Sequence, residues 1–453
     1  MKKLFLVSTC LVLTACTSLP NRDGATGPVP DAFVYADDTM NAAALDQVWW
    51  EHFGDPTLSA LIEQALHANK NVEAGLAALR ASRASLRIAN ASLYPQLSAG
   101  ASANSNSDNG FDDVSGSARG TASYQLDLFG QNSANRSAAA SSYEAQYYNQ
   151  RALELTISSD VAFNYFSVLA LRQRLEVAQS NLDISERIYE IVKARYEAGS
   201  VSRFDLKSQE AAIANARARL PQIEQQLVST ETALAILLGQ ASQDFSAPDG
   251  ALMDMVPPDI DPGLPSDLLL RRPDLLGAEA ALRAADADIA AARAAFFPSI
   301  DLSAGVNAGL TGGTSVLGTL AGSLSAPIFS GGRLEGQLES ARARADQQLA
   351  QYQQATLNAL RDVDVSLSAL STAEKREAEL FIAQSASDES LQLAELRYKT
   401  GADDLTSLLN AQSTAFNAAD SLYQGRLDRL SAAIDLFVAL GGGWSEAPTL
   451  ASL

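Results

Sequence analysis

The chain has 453 residues, of which 47% are hydrophobic but only 7% aromatic, and 33 Lys and Arg against 53 Asp and Glu give a net charge of −20. A surface this acidic repels phosphate backbones, so no nucleic-acid partner is expected, and the apolar content excludes a disordered acidic polymer. No run approaches the ~20 apolar residues of a membrane-spanning helix, and the two cysteines, Cys10 and Cys16, can form neither a disulfide framework nor a zinc site.

Lys2 and Lys3 precede a short apolar run over 4–13, followed by Leu13-Thr14-Ala15-Cys16. A positive start and a run too short to span a bilayer read as a secretory signal over 1–15. The last four residues resemble a bacterial lipobox, which makes Cys16 the lipid-attachment site. An ordinary signal peptide with a coincidental cysteine is the other reading. Two or more acyl chains anchor stably where one is marginal. Thr17 stands where an Asp would imply inner-membrane retention, so the resemblance points to the outer membrane.

Further along, two stretches alternate with period two, the mark of strands with one apolar and one polar face. Leu97, Ala99, Ala101 and Ala103 alternate with Gln96, Ser98, Ser102 and Asn104; Ala118, Ala122, Tyr124 and Leu126 alternate with Ser117, Arg119, Thr121, Ser123 and Gln125. From about 132 to 198 there is neither proline nor glycine, which predicts one helix of roughly 100 Å at 1.5 Å per residue. Val161, Val168, Leu175, Leu182, Tyr189 and Tyr196 recur every seventh residue, with Ile157, Leu171, Ala178 and Val192 as a second seam. Such a period predicts supercoiling against a neighbour. After Gly199 a second helix is expected over 203–238. A stretch with Pro248, Pro257, Pro258, Pro262 and Pro265 reads as a linker or irregular surface segment.

The plan then repeats at an offset of about 200 residues. Asn90-Ala91-Ser92-Leu93-Tyr94-Pro95-Gln96-Leu97 lines up with Ala294-Ala295-Phe296-Phe297-Pro298-Ser299-Ile300-Asp301-Leu302, and Arg195-Tyr196-Glu197-Ala198-Gly199 with Arg397-Tyr398-Lys399-Thr400-Gly401. Leu126-Asp127-Leu128-Phe129-Gly130 matches Ala326-Pro327-Ile328-Phe329-Ser330-Gly331. In the second copy Ile300, Leu302, Ala304, Val306, Ala308 and Leu310 face away from Ser299, Asp301, Ser303, Gly305, Asn307 and Gly309. After a Gly312-Gly313 turn, Val316, Leu320, Leu324 and Ile328 form the next apolar face. Helices are expected over 333–400 and 405–440. Where the second copy has Arg272-Pro273-Asp274, the first has Asn69-Lys70-Asn71, so a straighter helix junction is expected there.

Runs of ~10 or more residues match a tilted transmembrane strand, and a polar face of small Ser, Gly, Thr and Asn suits a wet lumen. Tyr94, Phe297, Tyr124, Phe129 and Phe329 would all fall at one end of the hairpins, as an interfacial aromatic belt does. Four strands cannot close, and lipid cannot satisfy a sheet edge, so strands in a membrane require oligomerisation. Two chains would give about eight strands and three about twelve, the latter leaving a lumen.

Pro257-Pro258, Gly263-Leu264-Pro265-Ser266-Asp267-Leu268-Leu269-Leu270-Arg271-Arg272-Pro273-Asp274, Ala278-Glu279 and Ala291-Ala292-Arg293-Ala294-Ala295-Phe296-Phe297-Pro298 resemble the outer-membrane efflux factors, the TolC/OprM-like and NodT-type lipoproteins. Trp49-Trp50, Phe53-Gly54-Asp55-Pro56 with Leu58, and Pro327-Ile328-Phe329 with Gly331-Gly332-Arg333 match the same family. The resemblance implies an α+β membrane protein: a homotrimer with a twelve-stranded outer-membrane barrel, long periplasmic coiled-coil helices and an equatorial belt. It implies docking to a periplasmic adaptor (membrane fusion) protein and an inner-membrane pump of the resistance-nodulation-division type. The expected layout is a signal peptide 1–15, a lipidated segment and belt 16–56, and a first repeat 57–240 with a β-hairpin 95–127 and a helical hairpin 131–238. A proline-rich belt linker 241–265, a second repeat 266–440 with a β-hairpin 298–329 and a helical hairpin 333–440, and a tail 441–453 follow. Trp49 and Trp50 are expected to pack the belt.

The turns at Gly199 and Gly401 would form the periplasmic tips that meet the adaptor, and each glycine would also cap a helix. By the family pattern, Asp205 and Tyr398 match a pair that holds the tip closed. Ser407 and Asn410 stand where relatives carry an acidic inner ring, and Asp403 and Asp404 would supply charge nearby. A solvated acidic helix start explains those two equally well. No cofactor or metal site and no enzyme motif is visible: His52 and His67 are the only histidines and have no ligand partners at useful spacing. An efflux duct for small molecules is the expected function. A duct for protein secretion is the alternative, with a pore-less spacer or adaptor lipoprotein behind it.

Overall fold

The computed structural model describes residues 29–30, 32–35, 48–106, 113–258, 260, 263, 265–309 and 315–442. Cys16, Leu310 and the Gly312-Gly313 turn lie outside these residues. The chain folds into two compact units. Among the described residues, one comprises Leu76–Asn149 and Asp274–Thr356, and the other Val29–Gly75, Gln150–Pro273 and Leu357–Gly442. Each unit therefore draws on both halves of the sequence.

The described elements run in the following order. Helix α1 is Pro56–Ala68 and α2 is Lys70–Ala91; strand β1 is Gln96–Asn106 and β2 is Asp113–Leu126; α3 is Gln131–Glu197 and α4 is Arg203–Leu237. A four-residue α5, Leu268–Arg271, leads to α6, Pro273–Ala294; then come β3, Ser299–Gly309, β4, Ser315–Ser325, α7, Arg333–Thr400, and α8, Leu405–Ala439. The second half takes the same order as the first. Helices α3 and α7 have 67 and 68 residues, as the lack of internal proline and glycine in the first predicts.

In the first unit the four strands form one antiparallel sheet in the order β1-β2-β3-β4. Two hairpins are thus joined by a β2–β3 pairing that no local signal announces. The register puts like with like. Leu97, Ala122, Ala304 and Leu320 form one row across all four strands, and Ala101, Ala118, Ala308 and Val316 another. Ser98, Thr121, Gly305 and Thr319 make a row on the other face, where Ser102 Oγ and Ser117 Oγ lie 2.9 Å apart. Directly opposed residues share a face, so the alternation read along each strand is continuous across the sheet. Leu317, opposite Asn307, and the small Ala321, opposite Ser303, are the apolar residues of β4 on the polar face. The apolar rows are open: Leu97, Val316, Leu320 and Leu324 are all exposed. Ile328 was expected on this face but lies beyond the end of β4, because Pro327 lacks the N–H that pairing needs. Phe129 and Phe297 stack with ring centres 4.8 Å apart, while Tyr94 and Phe329 are exposed.

The same unit holds its helices together through small residues. Ala285, Ile289, Ala341 and Ala345 interlock between α6 and α7. Arg283 pairs with Glu144 at 2.9 Å, and Arg136 donates to Asn90 Oδ1 at 2.7 Å. Asp127 accepts from the first-turn amides of α3, Asn132 at 2.9 Å and Ser133 at 2.8 Å, which satisfies donors the helix leaves free.

The second unit has the aromatic core. Trp49 is buried against Phe437, with ring centres 5.5 Å apart, and Phe53 against Phe166 at 5.3 Å; Trp50 is buried beside them. The Tyr165 hydroxyl donates to Asp55 Oδ2 at 2.8 Å, while Asp55 Oδ1 caps α1 through Thr57 N at 2.8 Å. Burial, followed by the hydrogen bond to Asp55, pushes the Tyr165 phenol far above its usual range.

Three expectations need correction. The proline-rich segment is no free linker: Leu252 and Ile260 are fully buried, Val256 N–H bonds Phe53 O at 3.3 Å, and Arg172 donates to the carbonyls of Ala247 and Pro248 at 2.7 and 2.8 Å. Prolines bar regular structure there, but apolar side chains between them still fill the core. The junction at Asn69 is not straighter than its counterpart. Asn69 is extended (φ −64°, ψ 129°), much like Arg272 (φ −76°, ψ 120°). Its side chain does what proline does in the other copy: Oδ1 accepts from Asn71 N at 2.8 Å and restarts the helix, and Nδ2 donates to Leu237 O at 2.9 Å. Finally, the heptad seam of α3 drifts. Val161, Val168 and Leu182 are buried, but Tyr196 is exposed and Ile188 takes the inner place. A helix of 3.6 residues per turn rotates ~20° per heptad unless it is supercoiled to match.

Candidate functional site

Both expected tips lie in the second unit, and both are helix ends turned by glycine. At the end of α3, Gly199 has φ 73°; its N–H bonds Tyr196 O at 2.9 Å and Ser200 N–H bonds Arg195 O at 2.8 Å. At the end of α7, Gly401 has φ 75°; its N–H bonds Tyr398 O at 3.1 Å and Ala402 N–H bonds Arg397 O at 2.8 Å. This is one capping geometry used twice. Space around either Cα is open, so the left-handed backbone angle, not crowding, calls for glycine.

The helices that return from the tips are capped by acids. Ser202 and Asp205 cap α4 reciprocally: Asp205 N–H donates to Ser202 Oγ at 3.2 Å, and Ser202 N–H and Oγ donate to Asp205 Oδ2 at 2.9 and 2.8 Å. Asp404 caps α8 through Ser407 N–H at 2.8 Å. That backbone bond, with help from the Ser407 side chain, holds the Asp404 carboxyl below its ordinary pKa. Asp403 accepts from Asp404 N–H at 3.0 Å and pairs with Arg397 at 3.2 Å. Ser407 is half-exposed and Asn410 exposed; the Asn410 carbonyl accepts from Thr414 Oγ1 at 2.8 Å.

Tyr398 is the buried centre of this region, 2% exposed. It packs with Ile188, Val192, Leu391, Leu405 and Leu408. Arg195 covers it: the guanidinium lies 4.6 Å from the ring centre and Nη2 donates to Tyr398 O and Lys399 O at 2.9 and 3.1 Å. Arg195 thus caps the C-terminal carbonyls of α7, where a cation is favoured, and joins the two tip turns of one chain. The Tyr398 hydroxyl is buried with no hydrogen-bond partner among the described residues. Burial pushes its pKa up, the nearby Asp205 charge adds to this, and Arg195 opposes it. Asp205 and Tyr398 are therefore close enough to feel one another, but the carboxylate spends its bonds on Ser202.

A buried polar layer bounds this cluster. Gln209 of α4 donates to Ser185 O at 2.7 Å, and Gln412 of α8 donates to Ser185 Oγ at 2.6 Å and Asn181 Oδ1 at 3.0 Å. One turn of α3 so binds both returning helices. Polar side chains inside an apolar coil fix register. Sequence reasoning missed this layer and missed Arg195. The Arg-Tyr-x-x-Gly match between the tips was the signal for Arg195, since it marked the arginine as well as the tyrosine and glycine. Among the described residues no group of three or more His, Cys, Asp or Glu could hold a metal ion, and no helix is long and apolar enough to cross a membrane. Caps, ion pairs and a covered tyrosine are parts that lock helix ends together.

A family model described as "Outer membrane efflux protein" matches residues 61–240 and 264–442. The chain is similar to the pyoverdine export outer membrane protein OpmQ of Pseudomonas aeruginosa, with 36% identity over 98% of each chain. It is similar to the outer membrane protein OprJ of the same species, with 34% identity over 99% of this chain and 98% of the other. Among solved structures it resembles the open state of the Neisseria gonorrhoeae MtrE outer membrane channel, with a TM-score of 0.84, 30% identity, and 94% and 98% of the two chains covered.

Proposed function

The chain belongs to the outer membrane efflux protein family, and from that premise we propose that it is the exit duct of a tripartite efflux pump, assembled as a homotrimer. The observation that carries this reading is the sheet. Its four antiparallel strands leave β1 and β4 as open edges, and its exposed apolar rows face away from rows of Ser, Thr and Gly. Lipid leaves no sheet edge unsatisfied, so β4 of one chain pairs with β1 of the next. Three such sheets make a barrel of twelve strands, wide enough for a lumen lined by the small polar rows. The like order of elements in the two halves fits an internal duplication, which gives three chains six similar helical hairpins.

In this assembly the protein sits in the outer membrane, Cys16 carries the lipid anchor, and helices α3 and α7 reach into the periplasm. The turns at Gly199 and Gly401 offer themselves to a periplasmic adaptor, through which an inner-membrane pump of the resistance-nodulation-division type delivers small molecules. Tyr398, Asp205, Asp403, Asp404, Ser407 and Asn410 form the periplasmic gate, with Arg195 holding Tyr398 in place inside each chain. Planar bilayers test the duct directly. Purified protein should insert as stepwise conductances, and Arg195→Ala should raise the conductance by loosening the tip. A protein that binds bilayers yet conducts no current would overturn the duct.

A further inference from the structure

Between α3, α7 and α8, within the second unit, lies a cleft of about 410 Å³, a size usual for small-molecule sites. We propose that it binds an organic cation with an apolar body, such as an aromatic ammonium or pyridinium ion, with the Asp388 carboxylate as counter-charge and Phe381, Phe416 and Tyr423 as its apolar and aromatic walls.

The charge balance points to a cation. Asp388 lines the cleft and no lysine or arginine does. Gln384, one helical turn away on α7, donates to Asp388 Oδ2 and holds the carboxylate in place. Burial pushes the Asp388 pKa up. The Tyr423 phenol is raised by burial first, then by the Glu176 and Asp388 charges. A carboxylate half removed from water gains from a cation that brings no hydration shell of its own.

The walls suit such a partner. Cations settle over aromatic faces within ~6 Å of the ring centre, and Phe416 already does this within the chain: the Arg219 guanidinium lies 4.5 Å from its ring centre. Phe381 is more than half exposed and lines the cleft two helical turns from Asp388 on the same helix. Met253 lines the cleft from the Leu252–Asp254 turn, where its thioether adapts to flat apolar guests. That turn is anchored, since Arg426 donates to Met253 O at 3.2 Å and pairs with the buried Glu377 at 2.9 Å. An anion would meet Asp388 unscreened, and a neutral hydrocarbon would leave it unpaired.

The test uses N-benzylpyridinium, with benzoate as the charge-reversed probe of similar size, titrated calorimetrically into the full chain assembled in detergent. One cation should bind per chain, and benzoate should bind at least tenfold more weakly. Asp388→Asn, which keeps the shape, should weaken the cation about tenfold and narrow the gap to benzoate, as loss of a charge-assisted contact does. Phe381→Trp puts an emitter at the site, and its fluorescence should be quenched by N-benzylpyridinium with the same dissociation constant. The proposal fails if cation and benzoate bind alike, if Asp388→Asn binds the cation as wild type does, or if wild type shows no saturable binding. The last outcome includes the case in which a neighbouring copy covers the cleft. Binding is read without conduction, so its failure would leave the duct untouched.

Discussion

The two tips carry one sequence pattern, Arg-Tyr-x-x-Gly, and fold into one turn, yet their side chains do different things. Arg195 crosses to α7 and covers Tyr398, which is 2% exposed, whereas Arg397 stays at its own turn and pairs with Asp403. Tyr196, the counterpart of Tyr398, is 39% exposed. Backbone geometry is set locally by the glycine and the helix end. Side-chain role is set by which helix happens to lie alongside. Two copies of one motif within one chain thus acquire an inner and an outer version, and the outer one is left for whatever lies beyond the chain.

That contrast is easiest to break at the tyrosines. Tyr398→Ala removes a buried ring and should lower the stability of the tip by about 3 kcal/mol, as large aromatic truncations do. Tyr196→Ala should cost under ~1 kcal/mol because that ring is already half in water. Hydrogen exchange at the amides of 188–206 and 391–409 reads both, and equal losses would mean that the two tips are energetically alike.

The arginines come next. Arg195→Ala removes a guanidinium that bonds two helix-end carbonyls and should cost about 1.5–2 kcal/mol locally. The Arg397–Asp403 pair is more exposed, with Arg397 at 62%, so Arg397→Ala should cost no more than ~1 kcal/mol. A larger loss for Arg397 in the same exchange experiment would reverse the assignment of inner and outer tips.

The helix junctions allow a parallel comparison. Asn69→Ala deletes a cap that the proline copy does not need and should cost about 1 kcal/mol, seen as a lower midpoint in thermal melting. Asn69→Asp keeps the accepting oxygen but loses the Nδ2 donor to Leu237 O, so it should recover only part of it. An unchanged melting midpoint in Asn69→Ala would show that the cap is idle.

The smallest effect is on pH. The folded-state pKa of Asp404 is lowered by its bond to Ser407 N–H, so its contribution is present above the unfolded pKa of ~3.9 and is lost as pH falls through the lower folded value. The start of α8 should therefore fray below about pH 4 in wild type, with no such pH step in Asp404→Asn. A step of the same size in Asp404→Asn would assign it to another acid.

Much of the scaffold was legible because its signals are local. An unbroken stretch without proline or glycine became α3, and Gly199 and Gly401 ended α3 and α7 where expected. Strict alternation located the strands. What escaped was non-local or compensated. Nothing within β2 or β3 encodes their pairing. The loss of a proline at Lys70 hid the fact that Asn69 breaks the helix by capping it. Tyr196 matched the heptad and still turned outward, since helical drift and the choice of neighbour decide burial. Of the tip and gate candidates, the two tip glycines and the capping acids can be read from helix-end rules, but the cover that Arg195 places on Tyr398 depends on a contact about 200 residues away in sequence.

As a duct, the chain's four-stranded sheet must be completed by the sheets of two further copies. Native mass spectrometry of the detergent-solubilised protein measures this directly. A trimer, with a mass close to three times the chain's 47.8 kDa after signal removal and lipid addition, is the expected result. A stable monomer or dimer as the sole membrane-competent species would contradict it.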